Sequence, residues 1–332
     1  MSLYDVDIDL TKVNTSHVQV IDLVGSSERV LDVGCWTGDL GRVLKEQGAH
    51  VTGFELDADA AATAAKHLDA VTVGDLDRSR LTDHFGDERF DAIIFADVLE
   101  HVYDPAGVLA DATALLAPGG RIVISVPNVT HGSLRLAHLQ GRWTTTDTGL
   151  LDHTHIRFFT RERLVALVEG AGLVVDDLRA TVIDPFGCEV EIDPAGLPAG
   201  VIAWVREQPD AYVYQFQLAA RPAVAGEQPV TPDLRTAIDP RETRPAAERR
   251  LELVGVWRRE LVERDRIIGL EAASDAATVQ ARHDAGRIAK LQARIKELET
   301  PGQVPAPRAA GSTGLKRKVR GVLSRARRAV RR

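Results

Sequence analysis

Five short apolar runs, separated by helical patterns over the first two hundred positions, constrain this chain more than any other feature of its sequence. They are Arg29–Val33, His50–Glu55, Ala70–Gly74, Asp91–Ala96 and Arg121–Pro127. A run such as Ala92-Ile93-Ile94-Phe95-Ala96 has no polar face, which suits a strand covered on both sides. Asp39–Gln47, Ala58–Leu68 and Pro105–Leu116 carry the intervening helical patterns. Strands alternating with helices predict right-handed crossover units and a doubly wound, mostly parallel α/β sheet. Pro118-Gly119-Gly120 marks a sharp turn into the fifth strand. Leu173–Leu178 follows as a sixth strand, with a short amphipathic helix near Ala199–Glu207. Tyr212–Leu218 alternates as a final strand antiparallel to its neighbour, so the core is expected to close near Ala220.

At 332 residues the chain has room for one domain of about 200 residues and appendages. Residues 221–245 are Pro-rich and polar and read as a linker. Residues 246–299 contain no proline and are rich in Ala, Arg, Glu and Leu. There Val254, Leu261 and Ile268 recur every seven residues, and Ile288, Leu291, Ile295 and Leu298 space as 3, 4, 3. That pattern predicts a helix of coiled-coil character that can pair copies of the chain, although Asp275 and Arg282 interrupt the register. An antiparallel helix pair is the alternative. Residues 300–314 read as a second linker.

The net charge of −7 conceals an asymmetry. Nine basic and no acidic residues lie between Lys316 and Arg332, while the other 32 basic residues face 48 acidic ones, a net of −16. In 315–332, Leu315, Val319, Val322, Leu323, Ala326 and Val330 share one helical face opposite the Arg and Lys residues. Such a helix suits an anionic membrane surface. Nucleic acid would use the same charges but finds no continuing basic groove on an acidic core, and a solvated tail is the third option. No 18-residue apolar run is present, and the start, with Asp5, Asp7 and Asp9, has no apolar signal core. Cys35 and Cys188 form neither a disulfide framework nor a metal motif. A cytoplasmic protein, peripheral at the inner membrane face, is the expectation.

The chemistry gathers where strands end. Val30-Leu31-Asp32-Val33 leads through Gly34-Cys35-Trp36-Thr37-Gly38 into a helix. Glycines allow close backbone approach, and a helix start presents free N–H groups to a carboxylate. The spacing does not fit a dinucleotide turn, whose second glycine would fall at Trp36. Asp32 suits a ligand with a positive amino group. Glu55 ends the second strand 21 residues beyond Gly34, placed to accept from two ribose hydroxyls, or else an exposed strand-end carboxylate. Asp75, in Gly74-Asp75-Leu76, can accept from an adenine amino group with Leu76 against the ring, or serve only as a turn aspartate.

Together with Phe95-Ala96-Asp97-Val98-Leu99-Glu100-His101-Val102 and Leu116-Ala117-Pro118-Gly119-Gly120, these motifs resemble the class I methyltransferases, from about Asn14 to Ala220. The resemblance implies a seven-stranded, Rossmann-like sheet with a reversed last strand, in a domain 1–220, and S-adenosyl-L-methionine as cofactor. It implies that Gly34, Cys35, Trp36 and Gly38 line the methionine part, with Asp32 beside them. Glu55 and Leu56 would meet the ribose side, Asp75 and Leu76 the adenine, and Ala96 and Asp97 the sulfonium. Trp36 departs from the small residue common in the family. Leu151-Asp152-His153-Thr154-His155-Ile156-Arg157-Phe158-Phe159-Thr160 resembles methyltransferases of cell-surface polysaccharide and glycolipid biosynthesis, implying a sugar or glycolipid acceptor under a cap at about 128–160.

A hydroxyl acceptor benefits from a base, and histidine is the usual choice near neutral pH. His155 is the first candidate and His101 the second, with His153 nearby; each also reads as a structural hydrogen-bonding residue. No metal is expected, since His153 and His155 lack a convincing set of further ligands. Two other functions fit the sequence: a non-catalytic scaffold that recruits partners through its helical arm, and a methyltransferase for a soluble small molecule.

Overall fold

The computed structural model describes residues 8–299. The second linker, the basic tail 315–332, and Asp5 and Asp7 lie outside the described residues. Helix α1 (Ser16–Val24) precedes β1 (Arg29–Val33), α2 (Asp39–Glu46), β2 (His50–Glu55), α3 (Ala58–Ala64) and β3 (Ala70–Val73). Next come α4 (Leu81–Phe85), β4 (Phe90–Ala96), α5 (Pro105–Ala114), β5 (Leu116–Pro127), α6 (Gly132–Leu139) and α7 (Arg161–Gly170). The series ends with β6 (Leu173–Val182), α8 (Val201–Arg206), β7 (Val213–Pro222), β8 (Arg235–Thr236) and α9 (Arg244–Glu299).

The sheet order is β3-β2-β1-β4-β5-β7-β6-β8. β7 alone runs against its neighbours, inserted between β5 and β6. Alternate residues of the central strands feed opposite layers, which explains their continuous apolarity. Leu31, Val33, Ile93 and Phe95 pack with Leu109 of α5 and Leu164 of α7. Val30, Ala92 and Ile94 pack on the other side with Val20 of α1 and Val43 of α2. Ile93 and Ile94 are both fully buried, each worth about 1.5–3 kcal/mol relative to exposure. The strand order reverses between β1 and β4, so the loops after those strands open onto one crevice.

Two boundaries differ from expectation. Residues 221–245, read as a linker, contribute an eighth strand where seven were expected. β8 pairs parallel to β6, with Arg235 ion-paired to Asp177 of β6, and Leu234 and Ile238 pack against the core. An open β6 edge and two apolar residues four apart outweigh the local proline content. The helical segment is one continuous helix, so no antiparallel pair forms within it. Its beginning belongs to the first compact unit, which ends at Trp257, and there Ala247 is buried against Leu136, Phe186 and Val205. In the second unit, from Arg258, the heptad residues Leu261 and Ile268 are exposed. No helix among the described residues is long and apolar enough to cross a membrane.

Candidate functional site

The turn after β1 is shaped by backbone conformations that glycine takes most easily. Gly34 has φ +71°, and a Cβ on it would meet Val98 Cγ2 at 2.6 Å. Gly38, at φ +85°, caps α2 with backbone alone, and a Cβ there would meet Ala64 Cα at 3.1 Å. The Gly34 N–H donates to the Phe54 carbonyl at 2.7 Å, which holds the turn against the end of β2. Trp36 sits between the glycines at φ +48°, a left-handed conformation that costs a non-glycine residue roughly 1–2 kcal/mol. The Cys35 thiol is buried, and that burial, with the charges of Asp32 and Glu55, pushes it upward and disfavours the thiolate.

Asp32 lies beneath this turn with 2% exposure, and its Oδ2 has no hydrogen-bond partner among the described residues. Burial, and then the neighbouring Glu55 charge, push its carboxyl up to about 7. A buried carboxylate oxygen without a donor, beside a glycine turn at a helix start, fits the ammonium end of an amino-acid ligand. The raised value has a consequence for stability. Between its ordinary 3.8 and about 7, folded Asp32 keeps a proton that the unfolded chain releases. Its contribution is therefore full below the lower value and lost as pH rises through the upper one. Ligand-free protein should lose stability in urea between pH 5 and pH 7.5. Asp32→Asn should reduce that loss by about 2–3 kcal/mol, and an unaltered slope in the variant would count against a buried, proton-retaining Asp32.

Glu55 at the end of β2 is 6% exposed rather than a free strand-end carboxylate. Its Oε2 accepts from the Trp36 N–H at 2.9 Å and its Oε1 from the Asp57 N–H at 2.8 Å, tying the two strand-end turns together. Each carboxylate oxygen retains a further lone-pair site for a hydroxyl. Leu56 next to it is 66% exposed, an apolar surface open to a ligand. Asp75 is already engaged: Oδ1 accepts from the Asp77 N–H at 2.9 Å and Oδ2 pairs with Arg78 at 3.1 Å. That favours its turn-aspartate reading. Leu76 is partly buried against the core.

At the end of β4, Ala96 packs on the core and Asp97 takes a left-handed φ of +56°. Asp97 Oδ1 accepts from Gln215 Nε2 at 2.7 Å; burial raises its carboxyl to about 7 against the lowering effect of Gln215 and Ser125. The loop then meets the segment that precedes α7. The Glu100 carbonyl accepts from the Ile156 N–H at 2.9 Å and the Arg157 N–H at 3.0 Å. This pairing draws His101 and His155 together, with ring centroids 4.8 Å apart. His101 Nδ1 lies 3.3 Å from the Thr154 carbonyl oxygen and 3.1 Å from its hydroxyl. Burial lowers both imidazoles, His155 to about 4 with the His101 charge as the second cause. His153 stays apart, largely exposed, its Nδ1 3.4 Å from the Thr146 carbonyl oxygen.

Glu100 received no role from sequence reasoning. Its side chain is 1% exposed, neither oxygen has a hydrogen-bond partner among the described residues, and burial, then the Asp97 charge, raise it far above the carboxylate range. One ligand atom from each of Glu100, His101 and His155 lies within 4.8 Å of the others. These neighbours of His155 lie 54 and 55 positions away in sequence and come to it through the backbone pairing. A glutamate set in the apolar run Val98-Leu99-Glu100-His101-Val102 was the available signal.

The doubly wound sheet and its crevice define a class of nucleotide-type cofactor proteins, and comparison with known proteins narrows it. Residues 19–178 match the family described as a methyltransferase domain. A ubiquinone biosynthesis O-methyltransferase of Xylella fastidiosa (strain 9a5c) is 33% identical over 164 residues, 48% of this chain and 67% of that protein. Its namesake from Aeromonas salmonicida (strain A449) is 29% identical over 170 residues, 50% of this chain and 71% of that protein. A solved SAM-dependent methyltransferase from Archaeoglobus fulgidus overlaps 64% of this chain and 94% of its own, with 20% identity and a TM-score of 0.45. The chain belongs to the class I S-adenosylmethionine-dependent methyltransferases. It is an enzyme, and S-adenosylmethionine is its methyl donor.

Proposed function

We propose that this methyltransferase acts on a hydroxyl oxygen, with the acceptor held beside His101 and His155. The observation that carries the reading is the imidazole pair at 4.8 Å, a few residues past Asp97 at the end of β4. The relatives named as O-methyltransferases support it. The cofactor supplies a methyl group already activated on sulfonium, so positioning of the acceptor oxygen accounts for much of the rate. In this reading Asp32 receives the ammonium, and the Gly34–Gly38 backbone with Cys35 and Trp36 borders the methionine part. Glu55 accepts from the ribose hydroxyls beside Leu56, Leu76 lies toward the base with Asp75 holding the turn, and Ala96 and Asp97 border the transferring methyl.

The acceptor class is a finer matter. The sugar or glycolipid reading rests on residues 151–160 alone, and relatives named for ubiquinone biosynthesis do not favour it. We therefore commit to the hydroxyl and not to the skeleton that bears it. Incubation with methyl-labelled S-adenosylmethionine and a panel of phenols, sugars, glycolipids, amines and carboxylates tests the assignment. A labelled methyl ether is the expected product. Label found only in methylated amines or esters would refute the hydroxyl reading.

A further inference from the structure

We propose that residues 267–298 of α9 dock on the same segment of a second copy of this chain, as a parallel, in-register, two-stranded coiled coil. Residues 260–294 of the helix are all exposed, and Ile267, Leu270, Ile288 and Leu291 are 50%, 62%, 55% and 58% open to water. A helix in water draws most of its stability from packing an apolar face, and nothing among the described residues covers this one. The four residues belong to one stripe. Spacings of 3 and 4 alternate without a break from Ile267 to Leu291 and continue in the sequence to position 298. The heptads of Val254, Leu261 and Ile268 lie one position away, and the two residues that interrupt them, Asp275 and Arg282, fall on the outer face of this register.

The residue types select the occupant. Ile267 and Ile288 take the a positions and Leu270 and Leu291 the d positions of the heptad, and Ile295 and Leu298 repeat that pair in the sequence. Isoleucine at a with leucine at d favours two parallel strands. The flanking charges select the direction. Arg266 and Arg287 stand at g and Glu271 at e, and between 266 and 299 no g position is acidic and no e position basic. In a parallel pair a g residue lies beside the e residue five positions further along the other copy, which sets Arg266 against the partner's Glu271. An antiparallel pair sets g against g and e against e, where neither finds an opposite charge. The middle of the stripe is weaker. Ser274, Ala277 and Ala281 are small, and Asp284, which accepts from Gln280 Nε2 at 3.2 Å, occupies a d position. A polar residue in the seam lowers stability while it specifies alignment. In register, the Ile and Leu layers at both ends face each other; a shift of one heptad would set Leu291 against Asp284.

The test is the mass of the full-length protein in solution, which does not depend on the acceptor. Sedimentation equilibrium at micromolar concentration should give twice the chain mass. Leu270→Asp and Leu291→Asp should each raise the dimer dissociation constant by about 10²–10⁴-fold, the equivalent of two leucine side chains returned to water. Ile268→Asp, one position off the seam, should leave the dimer intact, and S-adenosylmethionine binding checks that every variant is folded. Asp284→Leu should tighten the dimer by about tenfold or more, since apolar contact replaces two facing carboxylates. Ser274→Cys reports the direction. It lies away from the middle of the stripe, so oxidised glutathione should link the two chains there only in a parallel, in-register pair, while Cys35 and Cys188 are buried. A monomer at every concentration, or a dimer that survives both leucine variants, would overturn the docking surface. A dimer that Ser274→Cys does not cross-link would overturn the parallel alignment, and a trimer the two-stranded form.

Discussion

Glu55→Ala is expected to raise the dissociation constant for S-adenosylmethionine by about 10- to 100-fold. A hydrogen bond to a charged group contributes about 1.5–3 kcal/mol, and two ribose hydroxyls have lone-pair sites available on this carboxylate. Water entering the truncated site recovers part of that, which keeps the expected loss below the sum. The variant also removes the acceptor for the Trp36 and Asp57 N–H groups, so the turn itself is weakened. Calorimetric titration together with thermal unfolding of the ligand-free variant separates the two effects. A lower melting temperature with unchanged affinity would reduce Glu55 to a clamp between turns and remove it from the ribose.

The other large effect is expected at His155. His155→Ala should lower turnover on a hydroxyl acceptor by about 10²–10⁴-fold, the usual range for loss of a group that assists proton removal. Affinity for S-adenosylmethionine should change little, because the cofactor contacts assigned above come from the loops after β1, β2 and β3 and from the end of β4. The ring is partly exposed and stands edge-on to His101, so global stability should fall only modestly. Full activity in the variant would shift proton removal to His101 or remove the need for assistance. A melting temperature lowered in proportion to the rate would mark His155 as a structural link to the loop after β4.

Much of the fold was legible because its determinants are local. Apolar runs without a polar face identify strands covered on both sides, and Ile93 and Ile94 are indeed buried toward opposite layers. The reversed last strand followed from the alternation in Tyr212–Leu218, and the turn at Gly34–Gly38 from residues that tolerate left-handed backbone. β8 was not legible. Arg235–Thr236 has no strand pattern of its own and forms because β6 leaves an unpaired edge. Asp75 shows how two readings share one position: its place after β3 suited either a ligand contact or a turn, and in the fold the Asp77 N–H and Arg78 engage its carboxylate.

By itself, then, the sequence determined the layered sheet and the order in which the strand-end motifs appear, since both depend on short spacings and backbone preferences, and the family resemblance those motifs carry implied the cofactor class. The tertiary structure alone decided which polar groups share a site. Glu100 and His155 are neighbours only because two N–H groups near residue 156 donate to one carbonyl at the end of β4, a contact between segments more than fifty residues apart. Burial works in the same way. Asp32 and Glu100 look like any other carboxylates in the linear chain, and only the packed layers around them withdraw water, raise their proton affinity and leave oxygen atoms in want of a partner.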